Sequence, residues 1–261
     1  MRQRETFQLG NVRYADFTQI ILDEKGGESM KPSIKFFKLL ALSFMIMNLG
    51  SLPGLAQTTQ KSGDVSAGDN IIYRDDFMGK SLRPEWEIRA KDPNRWSLID
   101  NEYLLLVTYG PSPKNIMVYT GELPENYEIM VKYQSTPELG GQAVGLSFMG
   151  DMKNYLDVYY WKNPSHGLKE VNFGKKLMGE YSEYNMQRIQ ISSGNAIFLK
   201  LSKLGIEYTG YYSLDGASWS KVGTHIFLNL KGKPEFYVYN DKSGMPESGV
   251  RIDYFEIKKI D

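Results

Sequence analysis

One stretch decides the fold class of this chain: G-I-E-Y-T-G-Y-Y-S-L-D-G-A-S-W-S-K-V-G, residues 205–223. Two β-rich runs flank an Asp215-Gly216 pair, in which glycine accepts a positive φ and aspartate tolerates it. Asp-Gly between alternating apolar and polar residues is a strong short-range signal of a β-hairpin. We therefore expect a hairpin here, with Trp219 packed over its turn.

Short strand-like segments continue on both sides of this hairpin, from residue 71 to residue 258, with turn signals at intervals of roughly 8–12 residues. No stretch keeps a helical period over three turns. The pattern predicts one all-β domain, a sandwich or barrel, over residues 70–261. Residues 188–191 are expected to form a strand, whereas Glu180 and Glu183 are expected in a solvated loop.

Three segments precede the predicted domain. Residues 30–56 combine a basic start, an apolar run and a small-residue end, which predicts a signal peptide cleaved after Ala56. An uncleaved N-terminal anchor is the alternative. Residues 1–29 are expected to be an upstream leader, with Met30 as the true start, and residues 57–69 a flexible lead-in. We expect a secreted protein, periplasmic or extracellular, with no membrane span after signal cleavage.

Composition argues against several classes of function. The chain has 31 Lys or Arg and 31 Asp or Glu, and residues 1–56 hold seven and five of these, so the remainder carries a formal charge of about −2. No basic cluster occurs, so nucleic acid is not an expected partner. The absence of cysteine excludes thiol catalysis and Cys-ligated metal. Only two histidines and no G-x-S-x-G are present, which argues against a serine hydrolase.

Several motifs follow one another in the order of one known domain family. They are D-D-F-M-G-K-S-L-R-P-E-W (75–86), G-Q-A-V-G-L-S-F (141–148), N-Y-L-D-V-Y-Y (154–160), Y-S-L-D-G-A-S-W (212–219) and R-I-D-Y-F-E-I (251–257). In these blocks the chain resembles the concanavalin A-like domain at the C-terminus of family 43 β-xylosidases and related free-standing bacterial domains. The resemblance implies a jelly-roll sandwich of two curved antiparallel sheets. In those xylosidases the catalytic carboxylates lie in a separate propeller, so no catalytic residue is carried over.

The predicted strand 155–161 places three aromatic residues and one carboxylate on one face and core-type residues on the other. The preceding strand offers only Ala143, Gly145 and Ser147 beside that stripe, so a shallow trough is expected above them. Sugar rings fit such troughs, because their C–H faces stack on aromatic rings while polar side chains bind hydroxyls. The candidate ligand-binding residues, by the same parity, are Asp157, Tyr159, Trp161, Glu170, Asn172, Arg188, Glu207 and Tyr211.

A structural Ca²⁺ site is a further candidate. Asp75 or Asp76 meets Asp253 if the first and last strands pair, and carboxylates are suitable calcium ligands. Calcium takes about 6–8 oxygen ligands, more than these residues supply, so salt-bridged or turn-capping aspartates are the alternative. No motif requires another cofactor.

The sequence thus predicts a secreted, non-catalytic carbohydrate-binding domain whose partner is an oligo- or polysaccharide bound on a concave sheet. Two alternatives stay open. One is a sandwich-type glycoside hydrolase or lyase acting on polysaccharide, although the paired-carboxylate pattern E-x-D-x-x-E is absent. The other is a surface domain that binds a partner protein through its aromatic residues.

Overall fold

This computed structural model describes residues 70–134, 139–192 and 195–261, and the predicted segments 1–29, 30–56 and 57–69 lie outside them. Within the described ranges the chain forms strands and no helix, so none that could cross a membrane. The strands are β1 (Ile71–Asp75), β2 (Trp86–Arg89), β3 (Trp96–Ile99), β4 (Tyr103–Val107), β5 (Ile116–Tyr119), β6 (Tyr127–Tyr133), β7 (Gln142–Asp151), β8 (Asn154–Lys162), β9 (Lys169–Leu177), β10 (Glu180–Arg188), β11 (Ile197–Leu204), β12 (Glu207–Ser213), β13 (Ser220–Ile226), β14 (Lys233–Asn240) and β15 (Gly249–Lys259).

The strands form two antiparallel sheets, as the sequence predicts. One sheet has eight strands in the order β13-β12-β11-β6-β15-β4-β3, and β1 pairs with β15 beyond the end of β4. The other has seven strands in the order β10-β9-β8-β7-β14-β5-β2. Strand β14 therefore lies directly beside β7, although the two are far apart in sequence.

The core lies between the sheets and follows from period-2 alternation. On β8, Leu156, Val158 and Tyr160 are fully buried and belong to the core cluster, which confirms the predicted core face. Across the core, the Tyr133 hydroxyl of β6 donates a hydrogen bond to the Gly145 carbonyl oxygen at 2.6 Å, and it is one of several polar contacts between the two sheets.

The predicted hairpin of residues 205–223 is present as β12 and β13. Its turn is a six-residue loop rather than a two-residue reversal, and Gly216 has a φ of 77°. The Asp215 carboxylate accepts hydrogen bonds from the backbone N–H groups of Ala217 and Ser218, at 2.8 and 2.7 Å. These bonds stabilise the longer loop, because they satisfy backbone donors that no strand pairs.

The region after residue 177 differs from the prediction. The expected loop around Glu180 and Glu183 is the edge strand β10, and the expected strand at residues 188–191 is only its last residue followed by a loop. A register shift between Tyr181 and Glu183 interrupts the alternation that sequence analysis depends on. That bulge, together with polar residues along an edge strand, explains the wrong prediction.

Candidate functional site

The outer face of the seven-stranded sheet carries the predicted stripe. The side chains opposite the core on β8 alternate with the buried core residues, and the register places them beside β7 and β9. We call this surface the tyrosine face. It comprises Ala143, Gly145 and Ser147 of β7, Tyr155, Asp157, Tyr159 and Trp161 of β8, Glu170, Asn172 and Lys176 of β9, Tyr181 and Tyr184 of β10, and Glu235, Tyr237 and Tyr239 of β14.

The expected open trough above β7 is occupied by a tyrosine. A Cβ atom added to Gly145 would lie 2.3 Å from Cζ of Tyr237, so the Tyr237 ring lies directly across this glycine. Tyr239 packs against the neighbouring cluster of Ala143, Tyr159 and Trp161. The stripe is therefore a packed layer, in which Tyr159 and Trp161 are each less than a tenth exposed.

Asp157 lies at the centre of this layer with half of its carboxylate unpaired. Its Oδ2 accepts a hydrogen bond from the Tyr237 hydroxyl at 3.4 Å, whereas its Oδ1 has no partner. Ser147 lies directly opposite Asp157 on β7, and its Oγ is also buried without a partner. The same holds for Nδ2 of Asn172 on β9, the strand on the other side of β8. Three adjacent strands thus bring an acceptor, a hydroxyl and an amide donor together, all unpaired.

The ionisation of Asp157 reflects this burial. Desolvation raises the pKa of its carboxyl to about 7, although the Tyr237 hydrogen bond and the positive charge of Lys176 both act to lower it. The Lys176 ammonium lies over the rings of Tyr155 and Tyr181, at 5.7 and 5.8 Å from their centroids. The centre of the face therefore carries a carboxyl group that exchanges between its protonated and ionised forms near neutral pH.

Glu170 holds one end of the face in place. Its Oε2 accepts hydrogen bonds from Trp161 Nε1 at 3.2 Å and Asn163 Nδ2 at 3.0 Å. Its Oε1 lies 3.2 Å from His166 Nε2 and 4.0 Å from Arg188 Nε. Both carboxylate oxygens of Glu170 have protein partners. In the structure this residue, predicted as a ligand contact, therefore orients Trp161.

The edge strand β10 gives the face its accessible border. The side chains of Tyr181 and Tyr184 are exposed by 39% and 42%. Their hydroxyl groups are directed inward: Tyr181 lies 3.0 Å from the hydroxyl of Tyr155, and Tyr184 donates to Asn172 Oδ1 at 2.6 Å. These two rings therefore form the part of the tyrosine face that solvent reaches.

Two predicted site residues lie elsewhere. Glu207 and Tyr211 are on β12, in the eight-stranded sheet, and so cannot join the other six predicted residues, of which five belong to the tyrosine face and Arg188 lies beside Glu170 at its end. Glu207 is exposed, and Lys200 lies 4.8 Å from the Tyr211 ring centroid. Their outward parity was predicted from the sequence, but the sheet that contains their strand was not.

The three candidate calcium aspartates are engaged separately. The first and last strands do pair, with Asp75 opposite Phe255. The Asp75 carboxylate accepts hydrogen bonds from Trp86 Nε1 and Phe77 N, Asp76 caps the turn at residue 78, and Asp253 pairs with Lys132 at 2.7 Å. Among the described residues no group of three or more His, Asp or Glu is placed to hold a metal ion.

Sequence analysis missed the contribution of β14. Glu235, Tyr237 and Tyr239 alternate with the buried Phe236 and Val238, so their outward parity was visible in the sequence. Glu235 is 1% exposed, and burial raises the pKa of its carboxyl to about 7 even though Arg89 lies 2.7 Å away and lowers it. What parity does not reveal is that β14 lies next to β7.

The two-sheet antiparallel sandwich is consistent with a concanavalin A-like domain. Residues 74–231 match the family model of the beta xylosidase C-terminal concanavalin A-like domain, and the chain belongs to that family. No curated protein sequence matches the chain.

Solved structures share the fold at low sequence identity. The GH43 BlXynB protein from Bacillus licheniformis is 20% identical with a TM-score of 0.61, over 80% of this chain and 41% of that one. Xylan beta-1,4-xylosidase from Bacillus halodurans C-125 is 19% identical with a TM-score of 0.60, over 79% and 41%. The chain thus spans less than half the length of these proteins. An uncharacterised protein from Mycobacterium paratuberculosis, 11% identical with a TM-score of 0.53, is matched over 99% of its length and 71% of this chain.

Proposed function

We propose that this protein is an exported, non-catalytic carbohydrate-binding domain whose ligand binds at the tyrosine face. The observation that supports this proposal most directly is a set of three buried polar atoms without hydrogen-bond partners: Asp157 Oδ1, Ser147 Oγ and Asn172 Nδ2. Each buried polar atom left without a hydrogen bond destabilises the folded protein by roughly 1–3 kcal/mol. A ligand that supplies the missing partners recovers part of that free energy on binding.

Sugar hydroxyl groups suit this set because each can donate and accept in the same place. One hydroxyl can donate to Asp157 while another accepts from Asn172, and Ser147 can do either. The rings of Tyr181 and Tyr184 supply the aromatic surface on which the C–H face of a sugar ring stacks. Entry requires these rings to move outward, since their hydroxyl groups now cover the polar floor.

The relatives support a glycan as the ligand class. Two of the matched structures are a GH43 protein and a xylan xylosidase, and the matched part is under half of each chain. Xylo-oligosaccharides are therefore the first probe, followed by an array of plant and microbial oligosaccharides.

Export is part of the proposal, and N-terminal sequencing of the exported protein tests it: we expect Gln57 as the first residue, and a chain beginning before residue 30 would contradict it.

The experiment compares the wild type with Asp157→Asn and Tyr184→Ala in glycan-array binding and calorimetry. The matched control is Glu207→Gln, a carboxylate change on the other sheet. We expect both face variants to weaken binding by about tenfold or more, as one or two hydrogen bonds or a stacking contact predict, while the control binds as wild type. Equal binding by all four proteins would overturn the assignment of the site. No binding of any glycan by folded wild type would favour a protein partner.

One observation favours a second candidate, an inverting glycoside hydrolase. Asp157 and Glu235 both face outward, are buried, and have pKa values of about 7. Ser147 lies between them in the register, so their Cα atoms are two strand spacings apart, about 9.5 Å, and their side chains project from the same face. Inverting enzymes separate their carboxyl groups by about 6.5–9.5 Å. Release of reducing sugar from xylan by wild type, lost in Glu235→Gln, would establish this function instead.

A further inference from the structure

A second concave site lies on the opposite side of the molecule, on the outer face of the eight-stranded sheet. It is a cavity of about 100 Å³, which we call the Trp219 cavity. Its floor is formed by outward residues of the three neighbouring strands β11, β6 and β15, and the β12–β13 loop forms one wall. The lining residues include Glu128, Met130, Lys200, Trp219, Glu256 and Lys258.

The wall is held in a fixed conformation by the loop that follows β12. The Ser213 hydroxyl and two backbone N–H groups donate to the Asp215 carboxylate, and these hydrogen bonds hold the pKa of that carboxyl well below its usual range. Trp219 then packs edge-on against Phe198, with ring centroids 6.5 Å apart. Lys200 Nζ lies 4.5 Å from the centroid of the Trp219 ring. The aromatic wall is therefore formed before any ligand arrives.

Charged side chains form most of the floor of this cavity, and Met130 is the apolar residue among them. Lys200 pairs with Glu128 at 3.1 Å, and Glu256, which is only 3% exposed, pairs with Arg74 at 2.5 Å. Lys258 Nζ lies 3.5 Å from Glu256 Oε1, and its side chain is 37% exposed. The two lysines and two glutamates that line the cavity balance in charge, and Arg74, which pairs with Glu256 from outside the lining, gives the cluster one net positive charge. Of the two cations that line the cavity, Lys258 is more exposed than Lys200.

We propose that the Trp219 cavity binds a single uronic acid residue, that is, a sugar ring carrying a carboxylate. The carboxylate matches the net positive charge at Lys258 and Arg74, and charge-assisted hydrogen bonds are the strongest of those available. The ring packs on Trp219 and Met130, and its hydroxyl groups bind Glu128 and Glu256. Sites for drug-sized ligands measure about 300–1,000 Å³, so this smaller cavity takes one ring rather than a chain.

This site is independent of the tyrosine face, because its residues lie on the other sheet. The test is an NMR titration of the protein with glucuronic acid and with glucose, which differ only in the carboxylate at C6. The variants are Lys258→Gln in the cavity and Lys221→Gln, an equal charge change at an exposed residue of β13. Asp157→Asn is included to separate the two sites.

We expect glucuronic acid to shift the Trp219 indole resonance and to bind more tightly than glucose. Lys258→Gln should weaken glucuronic acid binding by about tenfold, the loss of one charge-assisted contact, and leave glucose binding unchanged. Lys221→Gln and Asp157→Asn should both bind glucuronic acid as wild type does. Equal affinity for the two sugars, an equal effect of the two lysine variants, or an unmoved Trp219 resonance would each overturn the proposal.

Discussion

Replacement of Asp157 by asparagine should stabilise this protein at neutral and alkaline pH. The carboxyl is buried at the centre of the tyrosine face, and only one of its oxygens is hydrogen-bonded. Asparagine keeps an oxygen that accepts from the Tyr237 hydroxyl, and its amide group can donate to the unpaired Ser147 Oγ. The substitution therefore removes a buried charge, and one amide N–H without a named acceptor takes the place of the unpaired Oδ1.

The magnitude follows from the Asp157 pKa, which burial moves from 3.8 to about 7. Between those pH values the folded protein holds a proton that the unfolded chain has released, so the free energy of unfolding falls as pH rises. Each pKa unit corresponds to about 1.4 kcal/mol, so the complete fall attributable to Asp157 is about 4 kcal/mol above pH 8. Glu235 adds a parallel fall through its pKa of about 7, but both proteins contain it, so their difference isolates Asp157.

The assay is urea denaturation of wild type and Asp157→Asn at a series of pH values from 4 to 9. We expect equal stability near pH 4, where Asp157 is protonated, and a variant more stable by about 4 kcal/mol at pH 8 to 9. Glu122→Gln, at an exposed carboxylate, controls for the change in net charge. A stability difference that stays constant with pH, or a variant less stable at pH 8, would refute the burial of an ionisable carboxyl at this position.

Three further substitutions test the packing around the two sheets by their effect on the urea midpoint. Gly145→Ala should destabilise the protein by about 1–3 kcal/mol, because the new methyl group forces the Tyr237 ring away; an unchanged midpoint would mean that the ring does not lie there. Asp75→Ala should cost about 1–3 kcal/mol, since it leaves the buried Trp86 indole N–H unpaired, and equal stability of variant and wild type would contradict that contact. Tyr133→Phe should cost about 1 kcal/mol through loss of one hydrogen bond between the sheets, and a stabilised variant would argue against it.

Period-2 alternation of core-type residues with polar, small or aromatic residues predicted the core face of the central strands. Strand β8 keeps that alternation over its length and β7 keeps it as far as Met149, so their core-facing residues were assigned correctly. Strand β10 was missed, because a bulge between Tyr181 and Glu183 shifts the phase of its alternation and polar residues are interspersed along it. A pattern that depends on strict alternation loses its signal at such a position.

For the candidate site, the sequence predicted which side chains face outward but not which strands are neighbours. Alternation along a strand predicts whether a side chain faces outward, and this prediction was made for both Asp157 and Glu207. It does not predict the sheet, and the two residues lie on different sheets. Parity also holds for Tyr237, whose strand β14 lies beside β7 although residues 152–232 separate the two strands in sequence. Strand order arises from long-range pairing, which a single sequence does not encode locally. The predicted open trough was consequently wrong, since the ring that fills it comes from the unanticipated neighbour.

The same burial that destabilises the face also couples ligand binding to protonation. An ionised Asp157 is unfavourable in the free protein because burial removes its hydration, which raises its pKa, and no donor reaches its Oδ1 to compensate. A hydroxyl that donates to that oxygen stabilises the charged form and lowers the pKa again. Ligand and proton therefore compete for one carboxyl, and binding that uses this oxygen strengthens as pH rises through 7. A ligand that merely stacked on Tyr184 would show no such coupling, so the dependence of affinity on pH reports whether the polar floor or the aromatic border carries recognition.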